Sequence, residues 1–307
     1  MDNAPAQSPL SSASPAWGDR LLVIGVYALT VIVFGPLAGW LFTQARESEQ
    51  LLHAFLVLLL AIGFVAVDDR RRWTLVWQFD ATCQILLLSS YALVGFAFIA
   101  QWPLLFLPAL GVTITSALRW LFGPARMPLA IGVGAAFAVF LFAAVGLPVF
   151  DYPLRIVAGE WSGWLLTVLG ASVSLRWVAG AGEPLLILTH EGFPFHVAAE
   201  CNGFGVVTAS LMLTTLLVLV RPLPWFDRAL YAVVALILAM AGNFVRIVVI
   251  VLLAQPVGLE HYHFMHEVVG TVTYYGTFVG LWCLIRSHGR RSKPAPEAPP
   301  RAQKAVG

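Results

Sequence analysis

Long apolar runs, each about as long as a membrane-crossing helix, alternate along this chain with short polar connections. A hydrocarbon core about 30 Å thick takes about 20 helical residues to cross. Eight runs are suitable: residues 21–42, 51–67, 82–102, 103–122, 127–149, 203–220, 226–254 and 268–285. The boundary between the third and the fourth rests on a tight Gln101-Trp102-Pro103 turn. The pattern therefore predicts an all-α integral membrane protein with about eight transmembrane helices.

Composition supports a membrane protein. Hydrophobic residues make up 59% of the chain and charged residues 11%, whereas soluble domains carry about 25% charged residues. The net charge of +2 is too small to indicate a nucleic-acid partner. The three cysteines, Cys83, Cys201 and Cys283, form no CxxC pair, so their spacing indicates neither a disulfide framework nor a thiolate zinc site.

The distribution of positive charge predicts how the helices are oriented. Cytoplasmic loops of membrane proteins retain Lys and Arg. With the N-terminus in the cytoplasm, 14 of the 18 Lys and Arg residues fall in cytoplasmic segments, three fall outside, and Arg246 lies within a helix. We therefore expect both termini in the cytoplasm, and a bacterial inner membrane is the location that fits.

Four regions are expected along the chain. Residues 1–18 are rich in Ser, Pro and Ala and should form a disordered cytoplasmic N-terminus. Residues 19–149 should form a five-helix membrane region, and residues 150–286 an extracytoplasmic segment followed by three helices. Residues 287–307 should form a disordered basic cytoplasmic tail.

The extracytoplasmic segment before the sixth helix has two parts. Residues 152–177 mix apolar side chains and tryptophans with charged residues, which predicts an amphipathic helix at the membrane interface. Residues 184–199 are broken by Gly192 and Pro194 and contain short apolar runs. A small strand pair capping the outer face is expected there.

Three reactive side chains are predicted to reach the same leaflet. Cys201 lies where the outside segment turns into the sixth helix, and His266 lies where the eighth helix begins. Arg246 lies about 20 residues along the seventh helix, which at 1.5 Å per residue places it about 30 Å across the membrane. All three groups therefore come near the outer boundary, although the sequence does not show whether they meet laterally.

Together these groups suit acyl transfer or peptide cleavage. A cysteine at a helix N-terminus is exposed to the positive end of the helix dipole, which favours the thiolate. A histidine can act as general base and then protonate a leaving amine. An arginine can stabilise the oxyanion of a tetrahedral intermediate by a few kcal/mol, to order of magnitude.

Each group also has a simpler interpretation. Cys201 could be a small apolar residue, as Cys83 and Cys283 are expected to be. Arg246 could pair with a carboxylate such as Glu200 or Glu267, but a charge within a span costs about 2.5–3.5 kcal/mol on insertion scales, which favours a function.

His266 and Glu200, which lie near the predicted helix ends, also have simpler interpretations. His266 has His261 and His263 as near neighbours, so it could be an ordinary interfacial histidine. Glu200 could orient His266 or Arg246, or it could simply be solvated.

The order of three motifs resembles the exosortase/archaeosortase family. These motifs are Cys201-Asn202-Gly203, then Asn243-x-x-Arg246-Ile247, then His266-x-x-x-Gly270, each at the outer end of a late helix. The resemblance covers residues 152–270. Members of that family are multi-pass membrane cysteine transpeptidases. They process exported proteins that end in a PEP-CTERM-type signal, which is a short motif, a transmembrane helix and a basic tail.

The resemblance implies a role for each matching residue. Cys201 would be the nucleophile, His266 the acid/base, and Arg246 the transition-state stabiliser. Asn202, Gly203, Asn243 and Gly270 would support them, together with Glu200. The family often shows Ala-Cys-Ser-Gly, whereas this chain has Glu-Cys-Asn-Gly, which leaves the recognised sorting motif open. No cofactor is implied. The implied partners are exported proteins with such a signal, membrane lipids, and a glycan or lipid acceptor.

Two other function classes compete with this interpretation. A metal- or haem-binding membrane protein or transporter could use the cluster of His261, His263, His266 and Glu267, with His190 and His196 as further ligands. No HExxH signature is present. A membrane scaffold or polysaccharide assembly factor would leave Arg246 without a reason to be in its span.

Overall fold

The computed structural model describes residues 17–68, 74–178, 185–197, 201–257 and 261–291. Within these residues it contains eight α-helices, as the apolar pattern predicts, and one three-stranded sheet. The helices are α1 (Trp17–Glu47), α2 (Glu49–Asp68), α3 (Ala81–Ala100), α4 (Phe106–Phe122), α5 (Met127–Val168), α6 (Phe204–Val220), α7 (Trp225–Val257) and α8 (Tyr262–Arg291). Seven of them are long and apolar enough to cross a membrane, and α6 is a shorter apolar helix of 17 residues.

The chain consists of two compact units, Met1–Trp40 and Leu41–Gly307. The described part of the first unit is the apolar beginning of α1, which stays helical through Pro36. The second unit contains Cys201, Arg246 and His266. The disordered tails predicted for the termini lie mostly outside the described residues. The parts that fall inside, residues 17–18 and 287–291, are helical.

Polar residues set the ends of α3. The carboxylate of Asp80 accepts a hydrogen bond from the Cys83 N–H at 3.0 Å and so caps the first turn. Asp80 also pairs with Arg119 of α4, and this hydrogen-bonded guanidinium lowers the pKa of Asp80 to about 2. At the other end, Gln101 takes a left-handed conformation with φ 55°, and Pro103 begins a short 3-10 helix. The predicted Gln101-Trp102-Pro103 turn is therefore present.

The helix α5 contains the fifth predicted span and continues beyond it towards the sheet. A helix was predicted at residues 152–177. The structure is helical there only as far as Val168, so the predicted C-terminal end of the helix is wrong. Residues 152–168 continue α5 without a break, and the chain becomes a strand from Val173 onward. Gly170, with φ 87°, separates the two elements.

An antiparallel sheet follows α5 in the order β1 (Val173–Val178), β2 (Leu185–His190) and β3 (Phe193–His196). The predicted strand pair corresponds to β2 and β3, and β1 adds a third strand through the pairing of Leu175 with Leu188. Glu191 and Gly192 connect β2 to β3 with φ values of 48° and 87°. Two residues of positive φ form the type I′ turn, whose twist suits a two-residue hairpin.

Buried apolar side chains surround α6 on several sides. Met212, Leu216 and Leu217 are almost fully buried, in a core to which α2, α5 and α8 also contribute. A second apolar cluster joins the sheet to α5 and α7, and Cys201 belongs to it. The fold therefore brings the segment just before α6 against both the sheet and α7.

Candidate functional site

Cys201, Arg246 and His266 come together within the second unit. Cys201 lies three residues before the first residue of α6, and His266 lies in the second turn of α8. Arg246 lies in α7, eight residues before Ala254, where the apolar part of that helix ends.

All three side chains meet at a single nitrogen atom. The Sγ of Cys201 lies 3.6 Å from Nε2 of His266, and Nη2 of Arg246 lies 3.4 Å from the same Nε2. A guanidinium can only donate, so this contact is a hydrogen bond when Nε2 offers a lone pair. A neutral imidazole with its proton on Nδ1 satisfies that requirement. The same lone pair can take the proton of the Cys201 thiol.

The backbone that carries Cys201 is held from α7. Nδ2 of Asn243 donates a hydrogen bond of 2.9 Å to the carbonyl oxygen of Cys201, and Asn243 is buried. Gly203 turns the chain into α6 with φ 80°. A Cβ at Gly203 would lie 2.8 Å from Nδ2 of Asn243. Glycine is therefore favoured here both by the left-handed backbone and by the close approach of that amide.

Gly270 makes room for the guanidinium. It lies one helical turn after His266 on the same face of α8, because residues four apart in a helix are neighbours. A Cβ at Gly270 would lie 3.0 Å from Nη2 and 3.1 Å from Nε of Arg246. The His266-x-x-x-Gly270 spacing therefore places the imidazole beside the guanidinium and lets the guanidinium approach the backbone of α8 closely at Gly270.

Asn202 connects the cysteine segment to α5. Its Oδ1 accepts a hydrogen bond of 2.7 Å from the N–H of Phe204, and its Nδ2 donates to Oδ1 of Asp151. Asp151 in turn forms an ion pair with Arg155, one turn further along α5. Asn202 is completely buried, so both polar ends of its amide are satisfied within the protein.

Sequence reasoning missed Asp151 and Arg155. Asp151 lies just beyond an apolar run, and Arg155 follows it by four residues, which is the spacing of a helical ion pair. That spacing was the available signal. What the sequence could not supply was the partner, because Asn202 lies 51 residues further along the chain.

The other residues that the sequence singled out have different surroundings where the structure describes them. Glu200 lies outside the described residues. Glu267 and His261 are exposed, and the side chain of His263 is not described. His190 is buried in the sheet, where its Nδ1 lies 3.2 Å from the carbonyl oxygen of Ser172.

A metal centre finds no support in this part of the chain. Among the residues that the structure describes, no group of three or more His, Cys, Asp or Glu side chains is arranged to hold a metal ion. The cluster predicted for the metal-binding alternative is therefore not assembled by its described members.

Comparison with known proteins identifies a family for most of the chain. The family model described as "Transmembrane exosortase (Exosortase_EpsH)" matches residues 40–283, which is most of the chain and includes every residue of the site. Neither the curated proteins nor the solved structures gave a significant match.

Proposed function

This chain belongs to the transmembrane exosortase family, and on that premise we propose that it is a cysteine transpeptidase or protease that cleaves the C-terminal sorting signal of exported proteins. Family membership supports, in general terms, a multi-pass membrane transpeptidase with a role in protein sorting. The observation that carries the finer proposal is the meeting of Cys201, Arg246 and His266 at one imidazole nitrogen.

The first step forms a bond between Cys201 and the substrate. Nε2 of His266 takes the thiol proton, and the sulfur attacks the carbonyl carbon of the scissile peptide bond. The carbonyl oxygen becomes negatively charged in the tetrahedral intermediate. The guanidinium of Arg246, next to the imidazole, supplies the positive charge and N–H donors that stabilise that oxygen.

The second step breaks the peptide bond. His266, now an imidazolium, returns its proton to the leaving nitrogen, and the carbon–nitrogen bond breaks to leave a thioester on Cys201. An incoming amine or water then attacks the thioester carbonyl after losing a proton to His266. The thiolate leaves and is reprotonated, and the protein is released or joined to the acceptor.

The substrate proposed for this site has three parts. Its transmembrane helix docks laterally in the membrane, its short motif lies at the outer interface beside Cys201, and its basic tail stays in the cytoplasm. The positive charges of this chain favour the same orientation, with both termini in the cytoplasm and the site on the extracytoplasmic side of an inner membrane. The acceptor is a surface lipid or glycan, or water.

Trapping the thioester tests this proposal directly. We expect the purified chain, mixed with a reporter that ends in a motif, an apolar helix and a basic tail, to form a covalent adduct with the upstream part of the reporter. Mass spectrometry of peptides containing Cys201 should show the adduct, and neutral hydroxylamine should remove it, because hydroxylamine cleaves thioesters. Shortening of the reporter without any adduct, and sensitive to metal chelators, would instead favour the metal-dependent alternative.

Gly270→Ala should slow the reaction without unfolding the protein. The added Cβ would lie 3.0 Å from Nη2 of Arg246, so the guanidinium must move by a few tenths of an ångström. Misplacing a catalytic group by 1 Å can lower a rate about 100-fold, so we expect kcat to fall about tenfold. The measurement is the initial rate of reporter shortening at saturating reporter.

Gly276→Ala is the matched control for this variant. Gly276 lies in the same helix, and a Cβ there would meet nothing within 4 Å. Alanine favours a helix over glycine by about 1 kcal/mol, so both variants should retain thermal stability. If Gly270→Ala and Gly276→Ala give the same kcat, the close approach of Arg246 to Gly270 has no role in the reaction.

A further inference from the structure

A charged network outside the predicted trio holds the segment that carries Cys201. Asp151 lies in α5, five residues after Gly146, where the apolar part of that helix ends. Its carboxylate accepts hydrogen bonds from Nδ2 of Asn202 and from the guanidinium of Arg155, whose Nε lies 3.1 Å from Oδ1. Asp151 thus links a long helix to the residue that directly follows the nucleophile.

This link attaches the cysteine segment to α5, in addition to its attachment to α7. The peptide group between Cys201 and Asn202 is held through its carbonyl oxygen by Asn243, at 2.9 Å. The Asn202 side chain is held at one end by Asp151 and at the other by the N–H of Phe204, at 2.7 Å. With both contacts in place, the backbone of Cys201 cannot move away from α8 without breaking a buried hydrogen bond.

Arg155 makes a carboxylate tolerable at this position. An uncompensated negative charge close to a thiol opposes formation of the thiolate by electrostatic repulsion. The ion pair with Arg155 offsets the charge of Asp151, while the carboxylate oxygen still accepts the hydrogen bond from Asn202. The pair therefore provides a strong acceptor with little net charge.

We propose that Asp151, neutralised by Arg155, is a positioning residue that keeps Sγ of Cys201 within reach of Nε2 of His266 by orienting Asn202. The inference rests on the proposed function for its effect on the reaction. The effect on the Cys201–His266 contact is independent of that function and can be measured separately.

Asp151→Ala should lower kcat for reporter shortening by about 10- to 100-fold, because the nucleophile is displaced and the docking of the reporter helix is untouched. The KM for the reporter should stay within about twofold. A change confined to KM, or an unchanged kcat, would overturn the proposal.

An exchange of donor and acceptor separates positioning from general stability. Asn202→Asp places two carboxylates against each other and should lower kcat by at least about tenfold. In the double variant D151N/N202D the amide donates and the carboxylate accepts, and the carboxylate can still receive the N–H of Phe204. We expect the double variant to regain at least about fivefold in kcat over Asn202→Asp. If the double variant instead loses as much in kcat as Asn202→Asp and Asp151→Asn lose together, the proposal is contradicted.

Alkylation of Cys201 tests the same contact without any substrate. In full-length chains with Cys83→Ala and Cys283→Ala, iodoacetamide reacts with the thiolate of Cys201. The ratio of the rates at pH 6.5 and pH 9.5 reports how readily the thiol loses its proton and cancels changes in access. Asp151→Ala should lower that ratio about tenfold, towards the ratio given by His266→Ala. If Asp151→Ala gives the same ratio as the chain that keeps Asp151, the proposal is overturned, even if no reporter is ever shortened.

Asp80→Ala is the matched control for Asp151→Ala. Asp80 is also an aspartate paired with an arginine, but its contacts are with α3 and α4, which carry none of the site residues. Asp80→Ala should lower the thermal stability and leave both kcat and the alkylation ratio unchanged. An equal fall of the ratio in both aspartate variants would show a loss of fold and would refute positioning by Asp151.

Discussion

Cys201→Ala is expected to abolish shortening of a reporter with a C-terminal sorting signal, by at least about four orders of magnitude in kcat. Removing the nucleophile of a covalent mechanism removes the reaction path itself, and losses of this size are typical of such variants. The side chain is small and packs in an apolar cluster, so its truncation should destabilise the protein by only about 1 kcal/mol. The measurement is reporter shortening in membranes that contain equal amounts of each variant.

Cys283→Ala provides the control for that experiment. Cys283 is an exposed cysteine in α8, and its replacement should leave the rate unchanged. Undiminished shortening by Cys201→Ala would exclude the cysteine mechanism, whatever the family of the chain.

Arg246→Ala should give the second largest effect, a fall in kcat of about 100- to 1,000-fold with little change in KM. One preorganised donor to a developing oxyanion contributes a factor of that size. Arg246→Lys keeps the charge but loses the planar arrangement of N–H groups, so we expect it to regain only part of the rate. Single-turnover kinetics on reconstituted protein separates this chemical step from reporter binding.

A different arginine shows whether positive charge alone accounts for the result. Arg176 is exposed in β1, and Arg176→Ala should retain the full rate. If Arg246→Ala instead raises KM and keeps kcat, the guanidinium binds the substrate in its ground state and does not stabilise the transition state.

Hydropathy predicted the helices because a membrane-crossing helix needs an apolar run of a set length. It also located the turn at Gln101 and Pro103, where the fourth helix follows the third almost directly. It did not predict that α5 continues to Val168, since an amphipathic stretch has the same pattern whether it is a separate helix or the extension of a span. The strand at Val173–Val178 was missed because its mixture of apolar and charged residues continues the pattern of the amphipathic stretch before it.

The site was predictable in part because its residues are unusual for their positions. An arginine in an apolar helix and a cysteine at a helix start stand out in sequence, and the Asn243-x-x-Arg246 spacing places both side chains on one face of α7. Their lateral meeting with His266 was not predictable, since apolar periodicity does not encode which helices are neighbours. Asp151 escaped notice for the same reason, because it contacts Asn202 only through the packing of α5 against the end of α6.

The shortness of α6 bears on where a scissile bond must lie. Its 17 residues span about 25 Å, which is less than the hydrocarbon core of about 30 Å. A lipid-facing helix of that length would thin the bilayer or tilt its neighbours, but α6 is enclosed by other helices and meets little lipid. We therefore expect at least one end of α6 to lie below the level at which the longer helices leave the hydrocarbon core. Cys201 lies just before the first residue of α6, so on the proposed function a peptide held by a flanking membrane anchor should reach it more readily than a freely diffusing soluble peptide.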